Sequence, residues 1–240
     1  MNLFVANWKM HMTREQARAY AEALGELIDD GIPGAELVLA PPFTALEAAR
    51  DREGRWSLAA QNLSEHASGA FTGEVSAEML ADSGCRYVIV GHSERRTLFG
   101  EDGPRLAGKV ARARDFGLVP IYCVGETGAE RLAGETAATL ARQLETLRDD
   151  PAMEPLVIAY EPVWAIGSGL AATPVDSAAA AKRIAELLPT RGDLRILYGG
   201  SVTAGNAAEL LGRGRVNGFL VGGASLDAGA FAAIARSGAA

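Results

Sequence analysis

Eight short apolar runs recur along the chain at intervals of about thirty residues, the size of a βα unit, and this recurrence constrains the fold more than any other feature. The runs are Leu3–Trp8, Leu37–Ala40, Leu58–Gln61, Tyr87–Gly91, Val119–Val124, Val157–Tyr160, Leu194–Tyr198 and Gly218–Val221. Several, such as Tyr87-Val88-Ile89-Val90, show no apolar/polar alternation, as expected of a strand buried on both faces in a parallel sheet. The segments between them have helical spacing. Thr13-Arg14-Glu15-Gln16 reads as a capping box ahead of Ala17, Tyr20, Ala21, Leu24, Leu27 and Ile28. Further helical stretches are predicted at Ala45–Arg50, Ser76–Asp82, Pro104–Phe116, Glu135–Arg148, Ser177–Leu188, Ala204–Leu211 and Ala228–Ala235. Eight strand–helix pairs in 240 residues match an α/β fold of the (β/α)8 barrel type, eight parallel strands each followed by a helix. An open doubly wound sheet is the alternative. No linker or composition shift divides the chain, so a single domain over residues 1–240 is expected.

Charge narrows the partners. Thirty acidic residues against twenty-three Lys and Arg leave a net charge of -7, which disfavours nucleic acid and anionic membrane surfaces. Cys85 and Cys123 form no Cys-x-x-Cys pattern, so neither a disulfide framework nor a thiolate metal site is indicated, and a reducing, cytosolic compartment fits. No apolar stretch approaches the roughly twenty residues of a membrane span, and the first residues do not read as a leader.

Chemically unusual residues gather just after the strands, on the face where barrel loops build active sites. Asn7 and Lys9 follow the first run, Gln61 and Asn62 the third, Gly91-His92-Ser93-Glu94 the fourth, Glu126 the fifth and Glu161-Pro162 the sixth. Gly199-Gly200-Ser201 and Gly222-Gly223-Ala224-Ser225 close the seventh and eighth, where backbone N–H groups free of bulky side chains can cradle a phosphate.

Seven segments in order carry a resemblance: Asn7–Met10, Gly69–Glu74, Gly91–Arg96, Cys123–Thr127, Ala159–Gly167, Tyr198–Val202 and Gly218–Leu226. Over essentially its whole length the sequence resembles the triosephosphate isomerase family. The resemblance implies a TIM barrel that interconverts dihydroxyacetone phosphate and glyceraldehyde 3-phosphate through an enediolate, in glycolysis and gluconeogenesis, without metal or organic cofactor. Glu161 is then the base that moves a proton between adjacent carbons. Its apolar neighbours Tyr160, Val163, Trp164 and Ile166 would strip water from it on closure. His92, with Ser93 expected to cap the following helix, would stay neutral and donate to the substrate oxygens. Lys9, one of three lysines, would face the developing oxyanion beside Asn7, with Glu94 orienting it. Outside such a motif, a solvated surface Glu and an ordinary surface Lys are the favoured readings of Glu161 and Lys9, and a structural histidine is as good a reading of His92.

The resemblance further implies that residues 162–172 form a lid with Trp164, Ala165 and Ile166 at its apolar tip. The phosphate would be held by Gly167, Ser201, Gly222 and Gly223, which needs no arginine cluster in this acidic chain. The loop from Asn62 to Glu74 is long, Gly-rich and apolar at Ala70-Phe71. By resemblance it enters a second subunit, with Thr72 near the neighbour's Asn7 and Glu94, making a homodimer. Cys123 is expected to pack rather than act as a nucleophile. The sequence departs from the family pattern at His11, Ser168, Leu170 and Asn217, none of which removes a catalytic group. A metal-dependent epimerase on a related barrel and a non-catalytic phosphate-binding homologue are the competing readings.

Overall fold

The computed structural model describes residues 1–51, 53–148, 155–166, 172–188 and 194–239. Its eight strands are β1 (Asn2–Asn7), β2 (Ala35–Ala40), β3 (Ser57–Ala60), β4 (Cys85–Val90), β5 (Val119–Val124), β6 (Leu156–Tyr160), β7 (Leu194–Tyr198) and β8 (Gly218–Val221). Each pairs in parallel with its sequence neighbours, and β8 returns to β1 through Leu3↔Gly218 to Ala6↔Val221, closing the barrel. The open sheet is thereby excluded.

Strand pleating sorts the side chains into two cores, because successive residues point to opposite faces. Leu3, Val5, Tyr87, Ile89, Val119, Ile121, Cys123, Val157, Ala159, Leu197 and Leu220 fill the barrel interior. Phe4, Ala6, Leu37, Leu39, Val88, Val90, Tyr122, Ile158, Tyr160 and Phe219 point outward under the helices. Continuing the inward parity to the last residue of β1 and one step past the ends of β5 to β8 brings up Asn7, Gly125, Glu161, Gly199 and Gly222, which is how the fold delivers polar and small residues to one mouth.

The helices are α1 (Arg14–Leu27), α2 (Ala77–Asp82), α3 (Ser93–Phe99), α4 (Gly103–Asp115), α5 (Gly128–Leu132), α6 (Thr136–Arg148), α7 (Pro174–Leu187), α8 (Ala204–Gly214) and α9 (Ala228–Ala239). The Thr13/Gln16 capping box forms, and Ala17, Tyr20 and Leu24 are buried. Leu27, expected in that stripe, is exposed, one step off the face that carries Ile28 inward. The predicted helix Ala45–Arg50 is instead two short 3-10 turns, Phe43–Ala45 and Glu47–Ala49. The Trp56 indole N–H takes the Ala49 carbonyl at 2.9 Å and Arg50 is extended, so the chain leaves the turn before an α-helix can propagate.

Candidate active site

At the end of β1, Asn7 is buried and its Oδ1 accepts from the Lys9 N–H at 3.1 Å. Lys9 has φ +52, a left-handed conformation costly to a side-chain-bearing residue. Gln61 holds it there: its Nε2 donates to the Lys9 carbonyl and to the Ala40 carbonyl, both at 2.8 Å. From this strained position the Lys9 ammonium reaches Glu94 Oε1 at 2.5 Å, the pairing expected from sequence.

Between β4 and α3 the chain turns at Gly91, with φ +69, a value that favours glycine. His92 and not Ser93 caps α3, its Nδ1 accepting the Glu94 N–H at 3.3 Å. Ser93 is the first helical residue, and its N–H is spent elsewhere: it donates to Glu161 Oε2 at 2.8 Å. The other oxygen, Oε1, stands 2.9 Å from His92 Nε2. A ring whose Nδ1 accepts a backbone N–H carries its proton on Nε2, the donor a carbonyl substrate requires. Burial opposes a charged imidazole, but the facing Glu161 carboxylate, assisted by Glu94, outweighs it and lifts His92 above the ordinary histidine value. This lift runs against the neutral imidazole expected from the helix N-terminus, because the Glu161 carboxylate faces the ring directly.

Glu161 is 2% exposed and its backbone is fixed before its side chain acts. Its N–H donates to the Val124 carbonyl at 2.7 Å. A Cβ at Gly125 would overlap the Glu161 carbonyl oxygen, so only glycine allows this approach. Beyond it, Glu126 is fully buried and accepts from the Tyr160 hydroxyl at 3.1 Å and from the Trp164 indole at 2.8 Å. The Arg131 guanidinium lies 4.0 Å from the Trp164 ring centroid and pairs with Asp176 at 3.0 Å. The predicted lid therefore starts from a pinned root, a 3-10 turn over Val163–Ala165. On the far side, the Ala172 N–H donates to the Tyr198 hydroxyl at 3.1 Å. Gly167, Ser168 and Leu170 lie outside the described residues.

Asn7, Lys9, His92, Glu161, Ile166, Ser201, Gly222 and Gly223 line one cavity of about 330 Å³, with Val202, Thr203 and Leu220 also on its wall. Gly222 borders the Lys9 stem, so the glycine end and the lysine end of the cavity meet. Thr72 does not line it: with Phe71 it is exposed on the loop after β3, where the Phe71 ring stacks on His66 at 3.8 Å. Among the described residues, no three His, Cys, Asp or Glu side chains gather into a set that could hold a metal ion. Cys123 is buried inside the barrel, and burial, with Glu161 nearby, pushes its thiol well above the ordinary value.

Gln61, Gly125, Tyr198 and Gln143 had no functional assignment from sequence. Gln61, Gly125 and Tyr198 carried one signal, their place at a strand end. Gln143, within α6, had nothing local to mark it.

The triosephosphate isomerase family model matches residues 2–238. The triosephosphate isomerase of Halorhodospira halophila is 48% identical over 242 residues, covering 97% of this chain and 96% of the relative. That of Symbiobacterium thermophilum is 49% identical over 250 residues, with 99% and 96% covered. That of Dechloromonas aromatica is 47% identical over 247 residues, with 98% of each covered. The chain belongs to the triosephosphate isomerase family.

Proposed function

We propose that the protein is an isomerase interconverting dihydroxyacetone phosphate and D-glyceraldehyde 3-phosphate, with Glu161 as the base and His92 and Lys9 as the electrophiles. The observation that carries this reading is the placement of the Glu161 carboxylate 2.9 Å from His92 Nε2 in a cavity that also holds Lys9 and the Gly222-Gly223 turn.

The His92 Nε2–H serves one acceptor at a time. When a substrate carbonyl oxygen takes it, Glu161 Oε1 loses a partner and the carboxylate is released toward the substrate carbon. Glu161 then removes a proton from the carbon bearing the hydroxyl. The C–H electron pair forms the enediolate C=C bond, and the carbonyl oxygen becomes an oxyanion facing His92 and Lys9. The hydroxyl proton is then passed to the former carbonyl oxygen by way of His92, and Glu161 returns its proton to the neighbouring carbon, so that the old hydroxyl becomes the new carbonyl and the isomerisation is complete. Asn7 sets the Lys9 backbone and borders the substrate. The phosphate is assigned to the N–H groups of Gly222 and Gly223 and the Ser201 hydroxyl, together with Gly167, and no organic cofactor or metal enters the scheme.

The exposed Phe71 and Thr72 loop supports assembly as a homodimer, with Thr72 supplied toward a neighbour's Asn7 and Glu94. The chain is taken as one domain over residues 1–240, placed in the cytosol. Two free, buried cysteines fit a reducing compartment, and no described helix is long and apolar enough to cross a membrane.

A coupled isomerase assay on the purified chain, with and without EDTA, tests the reaction. Full activity in EDTA is expected. Loss of activity on chelation would favour a metal-dependent epimerase instead. Sedimentation equilibrium tests the dimer, and a monomer at micromolar concentration would reject it.

A further inference from the structure

Glu161 also borders a second space, of about 140 Å³, together with Ser93, Arg96, Cys123, Gly125 and Gln143. Gln143 projects into this wall from α6 and closes a two-bond ring with one residue. Its Oε1 accepts the Gly125 N–H at 2.7 Å, and its Nε2 donates to the Gly125 carbonyl at 3.0 Å. Both backbone groups of Gly125 are thus satisfied by one side chain, in the way a neighbouring strand would satisfy them. The amide arrives with little freedom, because α6 is itself fastened to β5. The Tyr122 hydroxyl donates to the Gln143 carbonyl at 3.0 Å, and Leu140, Leu144 and Leu147 are buried.

Gly125 in turn is the bed on which Glu161 rests. Val124 accepts the Glu161 N–H, Glu126 accepts the Val163 N–H, and between them Gly125 touches the Glu161 carbonyl closely enough to exclude any Cβ. We infer that Gln143 is a positioning residue for the Glu161 base, acting through Gly125 to fix the point about which the carboxylate moves from the Ser93 N–H to the substrate. Ser201, Gly222 and Gly223, which follow β7 and β8, line the substrate cavity and Gln143 does not, so a change at Gln143 leaves that part of the phosphate site in place. This inference rests on the isomerase reading.

Gln143→Met keeps the side-chain length and removes both hydrogen bonds. In the full-length protein, kcat for the triose phosphates is expected to fall about 10- to 100-fold, as for a base displaced by a fraction of an ångström. KM and the inhibition constant of inorganic phosphate should stay within about two-fold. Should Gln143→Met fail to fold, Gln143→Glu, which retains the acceptor for the Gly125 N–H, carries the same test with a smaller loss and the same split. A folded variant with parental kcat, or an equal fall in kcat and phosphate affinity, would overturn the inference. A parent chain without isomerase activity would overturn both this and the functional reading beneath it.

Discussion

The Ser93 backbone N–H donates to Glu161 Oε2 at 2.8 Å, joining residues 68 apart in sequence and placing the carboxylate at the N-terminus of α3. A helix N-terminus carries partial positive charge and unsatisfied N–H groups, so it holds a carboxylate well. The Glu161 carboxylate, the proposed base, is therefore held on the same helix that His92 caps.

Ser93→Pro isolates this hold. Ser93 is the first helical position, where proline is tolerated, and His92 at φ -48 and ψ 143 already has the extended conformation a following proline demands. The variant should fold, at a cost of about 1–3 kcal/mol for the buried carboxylate's lost N–H partner. Because the bond belongs to the resting arrangement, kcat/KM should remain within about ten-fold of the parent. A loss as large as that from removing Glu161 itself, measured in the isomerase assay, would show that the N–H acts in the transition state.

Glu126 ties together two groups that flank the start of the expected lid, the Tyr160 hydroxyl and the Trp164 indole. Glu126→Leu leaves both donors in an apolar site without their acceptor, at an expected cost of about 2–4 kcal/mol. Urea denaturation followed by fluorescence measures it, and an unchanged midpoint would count against the tie.

At the opposite end of the barrel, Glu36 accepts from the Tyr87 hydroxyl at 2.5 Å and pairs with Arg195 at 2.7 Å. Burial pushes its carboxyl up, but the Tyr87 hydrogen bond and the Arg195 guanidinium outweigh burial and hold it below the usual value. Near the lid root, Glu130 is lowered to about 2 by the Thr127 cap and Arg142, again against burial. For both, the unfolded chain takes up the proton first. Their stabilisation is complete above the ordinary carboxylate value and is lost as pH falls toward the lower folded values. Stability should hold from pH 7 to 5 and decline below about pH 4.5, with a shallower decline in Glu36→Gln. An identical acid profile for that variant would exclude Glu36 as a contributor.

The strands were legible because a parallel sheet covered on both faces demands uninterrupted apolar runs, as in Tyr87-Val88-Ile89-Val90, and few other folds do. That Asn7, Lys9, His92, Glu161, Ser201, Gly222 and Gly223 share one cavity was legible because strand ends and glycine turns mark where a barrel does chemistry, while their proposed roles come from the family resemblance. Three features escaped. The Ala45–Arg50 segment has helical composition, but a tryptophan seven residues past Ala49 takes its last carbonyl, a tertiary choice that periodicity does not encode. Ser93 reads as a better cap than His92 by residue preference, yet Glu161, just past β6, claims its N–H. The Gln143 and Tyr198 side chains serve backbone groups of other elements, at Gly125 and Ala172, and a single sequence carries no mark of such distant partners.

The central claim is that Glu161 moves the proton while a separate set of groups holds the phosphate. Steady-state isomerase kinetics of Glu161→Gln, beside the parent and with inorganic phosphate as inhibitor, test it most directly. The account predicts a fall in kcat of about 10²–10⁴-fold, the usual contribution of a general base, with phosphate inhibition essentially unchanged. Turnover near that of the parent would contradict it.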